Sequence, residues 1–102
     1  MAFKVVIKPI VLFDLDEAVL YYEKKMPGLG KRFYDNFFTA LNDIELKPFT
    51  YSYVRKPVRR HLIKKFPYRI FYFVNGDTIF ILGVCHGKRS NAFLKRRLRL
   101  FE

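Results

Sequence analysis

The side chains with chemical reach in this sequence are mostly basic. Arg55, Lys56, Arg59, Arg60, Lys64 and Lys65 crowd one stretch, and Arg69 follows it. His86, Lys88 and Arg89 come next, and Lys95, Arg96, Arg97 and Arg99 fill the tail. Guanidinium groups grip phosphate or carboxylate through two parallel N–H bonds. Phe71 and Phe73, lying between the basic clusters, have ring faces on which unpaired bases stack. The chemistry on offer is recognition of an anion, with His86 able to move a proton near neutral pH.

Other chemistries lack their parts. Pro27-Gly28-Leu29-Gly30 has no Lys-Ser/Thr pair and lies between two helical patterns, so its glycines read as a turn and not as a phosphate loop. His61 and His86 are far apart, with no Asp or Glu beside either, and make no metal pair. After Glu45 the only acids are Asp77, in a turn, and Glu102, so a carboxylate general base is not expected in the second half. Cys85 sits in an apolar run and reads as a small core residue. A single cysteine gives no disulfide framework and fits a reducing cytoplasm. No metal and no small-molecule cofactor is expected.

The 102 residues are expected to form one domain spanning 1–102. Their 51% hydrophobic and 19% aromatic content argues for a core despite a net charge of +11. That charge is lopsided. Residues 1–54 hold seven Lys/Arg and seven Asp/Glu, whereas residues 55–102 hold thirteen against two. An acidic partner follows: nucleic acid, an anionic membrane face or an acidic protein segment. A solvated basic surface is the plain alternative. The longest apolar run, Ile79 to Cys85, is far below the roughly 18 residues of a membrane helix. The N-terminus alternates and meets Pro9, unlike a signal peptide.

The elements that must position these groups can be read from periodicity. Phe3 to Lys8 alternates as a strand that Pro9 ends. Asp14, with Glu17 three residues on, predicts a capped helix start. Leu15, Ala18, Val19, Tyr22 and Met26 carry that helix to the stop at Pro27-Gly28. A second helix over Leu29–Leu46 shows the stripe Phe33, Phe37, Ala40, Leu41 and Ile44. Beyond Pro48 the pattern is β: Tyr51 to Arg55 as an edge, Val58 to Lys65, Tyr68 to Val74, and Thr78 to His86. Asn75-Gly76 marks a type I′ hairpin. Asn91 to Phe101 reads as a short basic helix. The fold class is α+β: a helical hairpin on a mostly antiparallel sheet of four or five strands, in two layers ordered β-α-α-β-β-β, with that basic helix last. Parity sends Ile70, Tyr72 and Val74 to the helices and leaves Arg69, Phe71 and Phe73 on an open face.

These residues resemble a known family. Asp14-Leu15-Asp16-Glu17-Ala18 and Tyr21-Tyr22-Glu23 in the first helix, Gly28-Leu29-Gly30-Lys31-Arg32-Phe33 at the second, Phe66-Pro67-Tyr68-Arg69-Ile70-Phe71-Tyr72, and Val84-Cys85-His86-Gly87-Lys88-Arg89 are similar to toxins of the RelE/ParE superfamily of bacterial type II toxin–antitoxin systems. The resemblance implies a first strand lying beside the last and an acidic antitoxin wrapped over the basic surface. It implies one of two targets: DNA gyrase, poisoned by ParE-like members, or messenger RNA on the ribosome, cut by RelE-like members. For the ribonuclease branch it implies that Arg69 contacts phosphate, that Arg89 or Lys88 stabilises developing charge, and that His86 is an acid–base candidate. A terminal Tyr is expected near Phe93, which has no hydroxyl, and the carboxylate base of some members has no counterpart; these departures favour the ParE-like branch or a ribonuclease with an altered site. Arg59, Arg60, Lys64, Lys88, Arg96 and Arg97 are the expected contacts to target or nucleic acid, with Arg97 a solvated charge. A basic binding module without activity is the third reading.

Overall fold

A computed structural model describes residues 3–101. Lys4–Ile7 form strand β1, as alternation predicts. The first helix, α1, spans Pro9–Lys25, with Lys8 as N-cap, and does not begin at Asp14. Pro9 both ends the strand and opens the helix. Its ring presets a helical φ, and its missing N–H would have no partner at the first helical position anyway. Asp14 therefore lies inside the helix, where its carboxylate is available for other work. Helix α2 takes the expected range, Leu29–Leu46. Gly28 turns the chain at φ 90°, and the Glu23 carboxylate accepts the N–H groups of Gly28 and Gly30 at 3.1 Å. The end of α1 thus caps the start of α2. At Gly30 a Cβ would stand 2.7 Å from the Val19 carbonyl oxygen, so the two helices meet backbone to backbone only because this residue has none.

The remaining strands are β2 (Tyr53–Arg55), β3 (Val58–Leu62), β4 (Tyr68–Asn75) and β5 (Thr78–His86). The sheet order is β1-β5-β4-β3-β2. β1 runs parallel to β5, from Lys4↔Thr78 to Ile7↔Ile81, and the other pairs are antiparallel. The β4–β5 hairpin forms one residue out from the expected turn. Asn75 pairs with Thr78, Gly76 and Asp77 make the loop, and only Gly76 has positive φ. That is the signature of a type II′ turn, which asks for glycine first, and not of type I′. β3 stops at Leu62 instead of reaching Lys65, because Lys65 takes a left-handed φ of 70° in the following turn.

Ile70 and Tyr72 face the hairpin as parity predicts, and pack with Phe33, Phe37 and Ile44. The opposite face is not open. A 3₁₀ turn over Gly87–Arg89 leads into helix α3, Ser90–Arg99, which lays Leu94 and Leu98 against Phe71 and Leu82. Phe71 is wholly buried and Phe73 half-buried, so neither is an open platform for stacked bases. α3 adds a partial third layer to the two-layer hairpin-on-sheet arrangement. Its apolar spacing at Leu94, Leu98 and Phe101 was present in the sequence beneath the run of charges.

β1 ends opposite Ile81, while β5 continues to His86. At the same place β5 bulges: Tyr72 pairs with Ile81 and Phe71 with Gly83, leaving Leu82 unopposed. Two side chains cap the ladder where β1 gives out. Arg97 Nη1 donates to the Leu82 carbonyl at 2.9 Å, and Asp14 Oδ2 accepts the Val84 N–H at 3.1 Å. The same two groups are joined to each other by bonds of 2.7 and 2.8 Å. Arg97 and Asp14 side chains are 9% and 12% exposed, so Arg97 is a buried structural group and not the solvated charge the tail suggested. Gly83 makes room for it: a Cβ there would meet the Phe93 ring at 2.5 Å and the Arg97 guanidinium at 2.8 Å.

Two outcomes follow for stability. Arg97→Ala leaves the Asp14 carboxylate buried with the Val84 N–H but no counter-charge, and is expected to cost about 3–5 kcal/mol. A thermal melt should fall by roughly 12 °C or more. Arg97→Lys cannot make the forked contact and should also melt lower; an unchanged melt would show that charge alone suffices. The second outcome concerns Tyr72, whose hydroxyl donates to the Pro48 carbonyl at 2.6 Å. Burial pushes its pKa up from 10.0 to about 12. The folded value lies above the unfolded one, so this contribution is intact below pH 10 and is lost as pH rises towards 12. Denaturant titrations across that range should show falling stability, with a shallower fall in Tyr72→Phe.

Candidate functional site

A groove of about 740 Å³ opens where β5 ends, between α1 and α3. Val84, Cys85 and His86 form its floor. His86 Nδ1 accepts the Lys88 N–H at 3.2 Å, which places the proton of the neutral ring on Nε2. Ser90 Oγ donates to the Gly87 carbonyl at 2.8 Å and ties the 3₁₀ turn to the start of α3. This short turn sets Lys88 and Arg89 on the rim, both exposed, and the second half of α3 adds exposed Arg96. The wall opposite is α1, with Glu17 and Tyr21. Tyr68 completes the lining, its ring edge-on to His86 with centroids 5.4 Å apart. The Tyr68 hydroxyl is held above its ordinary range, chiefly by burial and then by Tyr21; Arg89 pulls it down and Glu17 pushes it up. The groove is thus a slot with three exposed cations on one side, the Glu17 carboxylate on the other, the Arg97-paired Asp14 in its lining and a histidine donor at its floor.

Arg69 stands just behind this slot. It opens β4, pairs with Leu62 and Cys85, and is half-buried. Its guanidinium lies 3.6 Å from where a Cβ on Gly87 would be, directly against the turn that carries Lys88 and Arg89. Among the described residues it makes no ion pair. The fold therefore gathers Arg69, His86, Lys88, Arg89 and Arg96 around Gly87 and the groove. Arg60 is half-buried on the face of the sheet that holds Phe71. Arg59 points elsewhere: it donates to the Phe49 and Tyr51 carbonyls at 3.1 and 2.7 Å and lies 3.9 Å over the Tyr53 ring. It pins the loop before β2. Lys64 is exposed in the β3–β4 turn, where its carbonyl accepts from Asn36.

Sequence reasoning missed Glu17, Tyr21 and Tyr68. Asp14 and Glu17 read as a capping box, which hid their common orientation. Once the helix starts at Pro9, Asp14, Ala18 and Tyr21 fall at i, i+4 and i+7, one stripe along the groove, with Glu17 beside it. The carboxylate that residues 55–101 do not supply thus comes from the first helix.

Taken together, fold and groove define a small, strongly basic α+β domain with a cation-bordered cleft at the end of its central strands. A family described as the ParE toxin of type II toxin–antitoxin systems, parDE, matches residues 5–91. The chain belongs to this family. It is also similar in fold to a chain of the chromosomal ParDE toxin–antitoxin system from P. aeruginosa. The TM-score is 0.69 at 18% identity, over 84% of this chain and 95% of that one. No curated protein matches it.

Cys85 lines the groove yet is 5% exposed, and its Sγ donates to the His86 carbonyl at 3.2 Å. Burial first, and Asp14 second, raise its thiol pKa. Iodoacetamide at pH 8 should therefore label the native protein slowly and the denatured protein at once, as mass spectrometry would read. Fast native labelling would mean that the groove floor opens.

Proposed function

We propose that this ParE-family toxin arrests bacterial growth from within the cytoplasm by acting on DNA gyrase, and that an acidic cognate antitoxin silences it by covering the basic groove. The family match over residues 5–91 supports the toxin half of this reading. Phe93 carries the choice of target. It stands where an RNA-cutting relative is expected to hold a tyrosine hydroxyl, and its ring is packed against Gly83 and under the Arg97 guanidinium, 4.5 Å away. A residue so used is a packing residue and transfers no proton. The basic set around Gly87 then serves to bind: Arg69, Lys88, Arg89 and Arg96 present guanidinium and ammonium groups to an acidic surface, and steering by net +11 speeds the encounter.

Expression alone should halt growth, and co-expression of the gene beside this one should restore it. In purified form the toxin should trap gyrase cleavage complexes while messenger RNA on translating ribosomes stays intact. Cleaved messenger RNA would instead make Glu17, Tyr68 and His86 the groups to examine, and the gyrase reading would fall. Within this reading Arg69→Lys keeps the charge but loses the planar fork, so it should weaken growth arrest at least about tenfold in inducer response, with an unchanged melt. If Arg69→Ala instead lowers the melting temperature by several degrees, Arg69 serves the fold.

A further inference from the structure

A second cavity, of about 570 Å³, lies between the first half of α2 and the turn from β3 to β4. Its size suits one small ligand. Leu29, Arg32 and Asn36 fall at i, i+3 and i+7 on α2 and form one wall. Tyr22 and Phe66 give an aromatic floor, edge-on to each other with ring centroids 4.8 Å apart. Phe33 backs both rings, at 5.4 and 5.0 Å. Arg32 and Lys65 are exposed at the border and make no ion pair among the described residues. The acids closest to Arg32 along the helices are engaged: Glu23 holds the Gly28 and Gly30 N–H groups, and Asp35 holds Lys31. Asn36 Nδ2 donates to the Lys64 carbonyl at 3.0 Å, which fixes the amide and leaves its Oδ1 as an acceptor. Lys65 itself takes a φ of 70°, a conformation that glycine adopts more readily.

We propose that this cavity binds a nucleoside monophosphate, its base on the Tyr22–Phe66 floor and its phosphate between Arg32 and Lys65. Three features select that chemistry. The aromatic floor takes a flat ring. A guanidinium and an ammonium without acidic partners match a phosphate monoester of charge about −2, which Arg32 grips through its fork and Lys65 as a point charge. Asn36 Oδ1 accepts from the amino group of adenine, guanine or cytosine, a donor that an alkyl or simple aromatic acid lacks. A free nucleotide and the 5′-phosphorylated end of a strand present the same groups. The cavity shares a wall with the groove: Pro67 lines the cavity, and its carbonyl accepts the Gly87 N–H at 2.9 Å. The site depends on the fold alone and stands whichever target the toxin takes.

Titration calorimetry of the purified full chain with adenosine monophosphate tests the proposal. Adenosine monophosphate should bind at least about tenfold more tightly than adenosine, which lacks the phosphate, and than ribose 5-phosphate, which lacks the base. Arg32→Ala should weaken that binding at least about tenfold with an unchanged melt, because Arg32 is exposed. Lys65→Gly separates ligand binding from folding. It removes a cation and suits the left-handed turn, so it should melt no lower than the wild type and still bind the nucleotide at least about fivefold more weakly. A trinucleotide carrying a 5′-phosphate identifies the source: tighter binding than adenosine monophosphate assigns the site to strand ends, and equal or weaker binding assigns it to the free nucleotide, the shared chemistry holding in both. Absence of saturable binding at millimolar nucleotide overturns the proposal, as does equal binding of all three small probes. Weakening by Arg89→Ala but not by Arg32→Ala places the nucleotide in the groove and also overturns it.

Discussion

The structure depends on one problem of strand length and its solution. β1 has four residues and β5 has nine, so the central region of the sheet runs past its neighbour. A bare ladder there would leave backbone donors and acceptors to be satisfied by other means, each expensive to bury unpaired. Asp14 and Arg97 substitute for the missing strand: one accepts, one donates, and each neutralises the other. Through this contact α1, β5 and α3 are fixed to one another. The groove exists because those three elements are held apart at its mouth and joined at its inner end. Phe93 and Gly83 are shaped around the same contact, as are the burial of Cys85 and the placement of Arg96 on the rim.

Charge is divided by the same logic. A chain with net +11 repels itself, and every cation must be either used or placed in water. Arg97 and Arg59 are used. Each spends its guanidinium on backbone carbonyls, Arg97 inside the ladder and Arg59 in the loop before β2. Lys31 pairs with Asp35 one turn along α2. The cations near Gly87 have no such partner among the described residues. Their mutual repulsion is a standing cost of keeping them together.

Much of the fold was legible in the sequence, and the misses have physical causes. Helix α2, the paired strands β4 and β5, and the side of β4 facing the hairpin all follow from apolar period and from glycine and proline punctuation. The start of α1 was misread because Asp14-x-x-Glu17 satisfies a local capping pattern, while its carboxylate is claimed by a residue 83 positions away, which no local pattern records. The second face of the sheet was read as open because the tail is densely charged, although Leu94, Leu98 and Phe101 supply an apolar stripe among the arginines. The hairpin lies one residue out because Gly76 fits both the second central place of a type I′ turn and the first of a type II′ turn, and only the pairing of Asn75 with Thr78 decides between them. At the site, the basic members near Gly87 were visible as sequence neighbours of strand ends. Glu17 and Tyr21 were not, because only the packing of α1 against β5 brings them there.

The contact between Asp14 and Arg97 also sets an order of events during synthesis. The hairpin is local: its helices adjoin in sequence, Glu23 caps α2 from within, and it can assemble as soon as residue 46 has emerged. The sheet then closes around β4 and β5. Its outermost ladder stays uncapped until residue 97 clears the ribosome, because Arg97 is the donor that Leu82 awaits and the counterion that Asp14 awaits. A nascent chain stopped short of that point carries a charged aspartate, a bulged strand and an uncovered aromatic face at Phe71 and Phe73, all at once. Such a chain is exposed to aggregation and to proteases. The last helix thus acts as a completion step: the groove acquires its second wall and its closed end only when α3 is in place.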